Sequence, residues 1–281
     1  MDYKRGFNIK PKEITGIGEV IFTDGTNDVV PNQLSCEAYG YTYNADTGTC
    51  VAFEYSTQVQ GFFNNVTNNR LGSNNTTEKA TNNTLINGTN NLTKGNNNNC
   101  LVNGRQHELG NGLNNSAILS GRYGQALNQG EVVISGGGFN EELAMSQMSF
   151  IQQSGNTTDG TETALLTQYL PTTYIQKVAN CVMGFEAHII GVNTGIGDGS
   201  AGQYGYLQIN GAVKFTNGLA STYYQTLLHV VTSGHSGLNV TAEMKDVTAT
   251  SFGVHVTGLA ETYIQWTASI KLWQNRIQQT F

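Results

Sequence analysis

The residues best able to do chemistry in this chain are five histidines, four cysteines and a thin scatter of carboxylates. His107, His188, His229, His235 and His255 include no His-x-His pair, and only His107-Glu108 and Glu186-x-His188 bring a carboxylate close. That spacing builds no metal site. Gly197-x-Gly199-x-x-Gly202 matches a dinucleotide fingerprint, but it leads into Tyr206-Leu207-Gln208-Ile209, which reads as a strand. A phosphate site needs a helix N-terminus there, so the segment is expected to be a loop. Gly234-His235-Ser236-Gly237 approaches a nucleophile elbow, yet Leu238 stands where the second glycine belongs, and a hairpin turn is the better reading. Glycan hydrolysis needs two carboxylates across a cleft. Glu141, Glu142, Asp159, Glu162, Glu186, Asp198, Glu243, Asp246 and Glu261 show no such arrangement in sequence. The expectation is a chain that is not an enzyme and takes no cofactor and no metal.

Cys36, Cys50, Cys100 and Cys181 have no metal-type spacing. Cys36 and Cys50 flank an expected hairpin of 37–43 and 49–55, but pairing Tyr43 with Thr49 places Cys50 opposite Thr42 and far from Cys36. A disulfide between them is not expected on that register, and all four are read as buried thiols. The Asn-x-Thr triplets at Asn65, Asn75, Asn82, Asn91, Asn156 and Asn239 are read as turn chemistry. A formal charge of −6 leaves no electrostatic footprint for nucleic acid. There is no run of 18 apolar residues, and Met1 to Glu19 is polar, so neither membrane insertion nor a secretory signal is expected.

The positioning element is a repeat. An aliphatic pair, a small polar residue and a glycine recur as Leu85-Ile86-Asn87-Gly88, Leu101-Val102-Asn103-Gly104, Ile118-Leu119-Ser120-Gly121 and Val133-Ile134-Ser135-Gly136. The glycines stand 16, 17 and 15 residues apart, and a weaker aliphatic element precedes a glycine between them at Leu92, Leu109 and Leu127. Each period reads as two short strands and two turns of a coil that stacks rung on rung. Asparagine, 20 of the residues in 61–130, suits the corners because it tolerates left-handed backbone. The eight aliphatic residues are expected to form the stalk core, with Ile86, Val102, Leu119 and Ile134 buried, and Gly88, Gly104, Gly121 and Gly136 are expected at corners. Two aliphatic side chains per rung stabilise less than ordering the rung costs, which points to several copies winding together.

A hydrophobic pair, then Asn or Ser, then Gly resembles the β-roll and triple-β-helix stalks of phage fibres and trimeric adhesins, and the resemblance implies a homotrimer. Residues 61–84 carry poorer repeats and read as an irregular lead-in, while Gly136-Gly137-Gly138 reads as a hinge or stop. From about Phe139 strands of ordinary length alternate with turns rich in Gly, Asn, Asp and Ser, the pattern of an antiparallel β-sandwich. Gly184-Phe185-Glu186-Ala187-His188-Ile189-Ile190-Gly191, Tyr204-Gly205-Tyr206, Gly211-Ala212-Val213-Lys214 and the final strands around His255 and Trp266 resemble a domain found at the C-terminus of phage fibre proteins.

The expected fold is therefore all-β: a β-rich anchor at 1–60, a β-helical or β-roll stalk at 61–138 and a β-sandwich head at 139–281. The resemblance implies a homotrimeric adhesin on the exterior of a phage particle, assembled in the host cytoplasm. Residues 1–60 would contact other virion proteins, and the head would contact a host cell-surface glycan or protein, with Tyr204 and Tyr206 as candidate receptor contacts. Tyr223, Tyr224, Tyr263, Trp266 and Trp273 are expected mainly in the core. The alternatives are a purely structural capsid or head fibre or decoration protein, and a small polysaccharide-degrading tailspike.

Overall fold

A computed structural model describes residues 2–15, 18–45, 47–52, 69–78, 80–135, 141–197, 201–232, 238 and 240–277. The expected stop at 136–138 and turn at 234–237 lie outside the described residues. The chain is almost entirely β and forms two compact units, Met1–Leu71 and Gly72–Phe281.

In the first unit, β1 (Lys10–Ile14), β2 (Val20–Thr23) and β3 (Asp28–Val29) form an antiparallel sheet. A six-residue helix α1 (Gln33–Ala38) follows, capped by Asn32, whose side chain accepts from the Ser35 N–H at 2.8 Å. β4 (Thr42–Asn44) and β5 (Thr49–Val51) then pair as a hairpin. Val20, Phe22, Cys36 and Cys50 form the core, with Tyr39 and Tyr41 packed on Phe22. The cysteine expectation is corrected here: Cys36 and Cys50 form a disulfide, with their Cα atoms 5.7 Å apart. Cys36 lies on a helix and not on a strand. Gly40, at φ 83°, turns the chain after α1, and the hairpin pairs Tyr43 with Cys50, one residue from the expected register. Cys100 and Cys181 are buried thiols, and burial pushes the Cys181 thiol up to about 12.

The coil comprises β6 (Asn69–Ser73), β7 (Thr76–Thr77), β8 (Leu85–Thr89), β9 (Leu92–Thr93), β10 (Leu101–Arg105), β11 (Glu108–Leu109), β12 (Ala117–Ser120), β13 (Gln125–Ala126) and β14 (Val132–Ser135). The strands stack as two parallel ladders, one through β6, β8, β10, β12 and β14, the other through β7, β9, β11 and β13. The stretch read as an irregular lead-in thus already contains a rung, because backbone pairing needs no aliphatic pair.

Successive side chains in a strand point to opposite faces, so an aliphatic pair cannot send both members inward. Ile86, Val102, Ile118 and Val133 are fully buried; Leu101 and Ile134 are half-buried, and Leu85 and Leu119 are 39% exposed. Leu119 and Ile134 depart from the expected burial because β10 and β12 pair Val102 with Ile118, the first member of its pair, and Ile118 pairs in turn with Val133. The second member of the pair faces inward in the first two rungs, and the first member in the last two.

Polar side chains fill the rest of the interior in rows one rung apart. Asn75 Oδ1 accepts from the Asn91 N–H, Asn91 Oδ1 from the His107 N–H, and His107 Nδ1 from the Gly124 N–H, at 2.8 to 3.0 Å. Burial lowers the His107 pKa, which favours the neutral ring that this acceptor role requires. The true corners are asparagines with positive φ, among them Asn74, Asn90 and Asn99. Gly88 and Gly104 lie inside their strands instead of at corners, each pressed against the glycine of the next rung.

β15 (Ser146–Thr157) pairs antiparallel with β14, so the first ladder of the coil continues into the head. The head adds β16 (Glu162–Ala164), β17 (Ile175–Gln176), β18 (Cys181–Gly197), β19 (Tyr204–Phe215), β20 (Ser221–Thr232), β21 (Thr241–Thr248), β22 (Ser251–Thr257) and β23 (Thr262–Arg276). One ten-stranded sheet results, in the order β20-β19-β18-β23-β15-β14-β12-β10-β8-β6. A four-stranded sheet of β16, β17, β21 and β22 shares a core with it, in which Trp266, Phe185, Phe215, Ile189 and Phe252 are buried. The buried Gln153 side chain bridges the sheets, accepting from the Val254 N–H and donating to the Leu165 carbonyl, both at 2.9 Å.

Candidate ligand-binding face

The long strands of the head alternate strictly, so every second residue of β18 and β19 faces away from the core. Register places Glu186 opposite Asn210, His188 opposite Gln208, Ile190 opposite Tyr206 and Val192 opposite Tyr204 on that outer face. The two candidate receptor contacts therefore share one face, Tyr204 at 42% exposure and Tyr206 half-buried.

Tyr206 is held by its neighbours. Its hydroxyl meets His188 Nδ1 at 2.5 Å, and His188 Nε2 meets Glu186 Oε1 at 3.0 Å. Gln208 Nε2 donates to the same carboxylate at 3.1 Å. A Tyr206 hydroxyl donating to Nδ1 leaves Nε2 as the ring nitrogen that donates to Glu186. A groove of about 530 Å³ opens beside this chain of hydrogen bonds, lined by Phe150, Glu186, His188, Ser269 and Lys271. The Lys271 ammonium sits 4.7 Å above the Trp273 ring. Rigid aromatic faces beside fixed donors and acceptors are the elements that bind a polar ring such as a sugar.

Trp266 is in the core as expected, but Tyr224 at 75% exposure and Trp273 at 41% stand on this outer face. Glu186-x-His188 was legible as two residues on one face of a strand. The link to Tyr206 was not, because it depends on the β18–β19 register.

A second groove, of about 410 Å³, is lined by Glu162, Glu243, His255, Thr241 and Thr257. Lys245 binds both carboxylates there. Its hydrogen bond holds the Glu162 carboxyl below its ordinary value, so Glu162 is ionised at neutral pH and has no proton to give as a general acid. Burial lowers the His255 pKa. Nearby, Lys177 is buried and paired with Asp246 at 2.7 Å. Desolvation pushes Asp246 up, but hydrogen bonds from Lys177, Tyr223 and Ser221 outweigh it and hold that carboxyl below the usual range. Among the described residues, no three His, Cys, Asp or Glu side chains converge as a metal site, and no helix is long and apolar enough to cross a membrane.

No protein-family model matches the chain, and no curated protein sequence matches it. Among solved structures, 75% of the chain is similar to 55% of the tailspike protein of Acinetobacter phage vB_ApiP_P1, at 7% identity and a TM-score of 0.27. Similarly, 76% of it is similar to 50% of the tailspike protein of Acinetobacter baumannii phage AM24, at 7% identity and a TM-score of 0.26. The chain spans about half the length of each of these proteins, and likeness at this level carries no argument about function.

Proposed function

We propose that the chain is a non-enzymatic, homotrimeric fibre protein of a tailed bacteriophage, an adhesin on the particle exterior that attaches to a host cell-surface glycan or protein. In this reading residues 1–60 join it to other virion proteins, 61–138 form the stalk, and 139–281 form a β-sandwich head that meets the host. The supporting observation is the exposed Tyr204 ring beside Tyr206, whose hydroxyl is fixed by His188 and Glu186 on a long, regular sheet. Three weak aromatic sites on one stalk gain affinity by acting together. The test is binding of purified full-length protein to bacterial surface polysaccharides, with Tyr204→Ala as the variant. Loss of binding in Tyr204→Ala with an unchanged melting curve is expected. A wild-type protein that binds none of the polysaccharides or cells infected by the parent phage overturns the reading.

One observation favours the structural or decorative alternative: Glu186, His188, Tyr206 and Gln208 already satisfy one another. Release of reducing ends from polysaccharide would favour the tailspike enzyme instead.

A further inference from the structure

The outer face of the ten-stranded sheet carries a second feature, at the opposite end of the strands from Tyr204. Ile134 pairs with Met148, Met148 with Trp273, Trp273 with Gly184, Gly184 with Ala212, and Ala212 with Tyr224. These residues form one row across six strands without a charged or polar member. The row begins on the last rung of the coil and ends on the edge strand of the head. Phe150 and Val182, 40% and 38% exposed, flank it. Gly184 and Ala212 leave a shallow trough between the Trp273 and Tyr224 rings, and a Cβ at Gly184 would lie 3.5 Å from Trp273 Cε3.

An antiparallel sheet that turns one face to a core normally turns a polar face to water. The smaller sheet of the head does so, carrying Glu162, Thr241, Glu243 and Lys245. The large sheet does so around Glu186, His188, Gln208 and Asn210, and the belt is an apolar row that interrupts this polar face. We propose that this belt is the contact through which copies of the chain pack on one another, its occupant being a second copy. The inference rests on the homotrimer reading and adds the surface that makes it.

Two arguments select a second copy over another partner. The belt and its flanking residues, with Tyr224 75%, Trp273 41%, Phe150 40% and Val182 38% exposed, make an apolar patch at the upper end of what a single protein shows, and a standard interface takes about 800 Å² from each partner. The belt is also straight, spanning six strands or roughly 24 Å at the spacing of a sheet, and it runs from coil to head. A partner covering it needs a matching apolar row of that length, which this chain has. The Tyr204 row lies eight residues further along β18, roughly 26 Å away, so assembly leaves the candidate ligand face open.

The test is the solution mass of the full-length chain across a dilution series, by light scattering, for wild type, Tyr224→Asp, Ala212→Arg and Tyr204→Asp. Wild type and Tyr204→Asp are expected at three times the 30.3 kDa chain mass. Tyr224→Asp, Ala212→Arg or both should weaken association by about tenfold or more, with the far-ultraviolet β signal retained. If wild type is trimeric and both belt variants associate as tightly as it does, the belt is not the contact although the trimer stands. If Tyr204→Asp dissociates as readily as the belt variants, the proposal fails as well. A folded, monomeric wild type overturns the trimer and the belt together.

Discussion

Gly88→Ala tests the stacking of the coil more sharply than any loss of apolar volume. A Cβ built on Gly88 falls 1.7 Å from the Gly104 carbonyl oxygen and 2.8 Å from its carbon, and Gly88 has φ 126°, where side chains are strained. Adjacent strands lie about 4.8 Å apart, so an extra carbon has no room unless the rung opens or the backbone turns away. Overpacking costs about 1–3 kcal/mol and the backbone conformation about 1–2 kcal/mol, giving about 2–5 kcal/mol per chain. Gly112→Ala is the control: its φ is 72°, but a Cβ there meets nothing within 4 Å. It should lose only the backbone part, about 1–2 kcal/mol. Denaturant unfolding at one fixed protein concentration gives both values. Equal losses for the two variants would refute the close stacking of Gly88 on Gly104.

Val102→Asp, which puts a carboxylate in a fully buried rung position, should cost several kcal/mol and prevent assembly; a variant that melts like the parent contradicts this. Asp246→Asn leaves the buried Lys177 ammonium without its carboxylate and should cost about 2–3 kcal/mol in thermal unfolding, discounted because Asp246 is partly exposed. Glu131 is fully buried at the end of the coil, and burial raises its pKa despite donors from Leu127 and Asn128. A raised folded pKa means that its contribution is complete below the unfolded pKa and is lost as pH rises through the folded one. Glu131→Gln should therefore raise the melting temperature at neutral pH and flatten that slope; an unchanged slope rules the assignment out. Cys36→Ser should destabilise the first unit by about 3 kcal/mol, since the bridge closes a short loop, and selective loss of that unit's protection in hydrogen exchange would show it.

The coil was legible because its repeat places residues that stack at nearly constant spacing, and the glycine column and asparagine corners follow from backbone geometry. Which member of each aliphatic pair faces inward was not legible, because the pairing of Val102 with Ile118 is a property of two strands together. The same limit hid the disulfide. A six-residue helix has no amphipathic period to reveal it, and its displacement of the hairpin register brings Cys36 to Cys50. In the head, the alternation in β18 and β23 marked both strands. The same alternation buries Trp266 and sets Trp273, an odd seven residues later on the same strand, on the outer face.

The central claim is that this chain works as an assembled fibre and not as a single coil, and sedimentation equilibrium of the full-length wild-type protein addresses it directly. The account predicts one species at three times 30.3 kDa that persists on dilution to micromolar concentration. A cooperatively folded species of 30.3 kDa under the same conditions would contradict it.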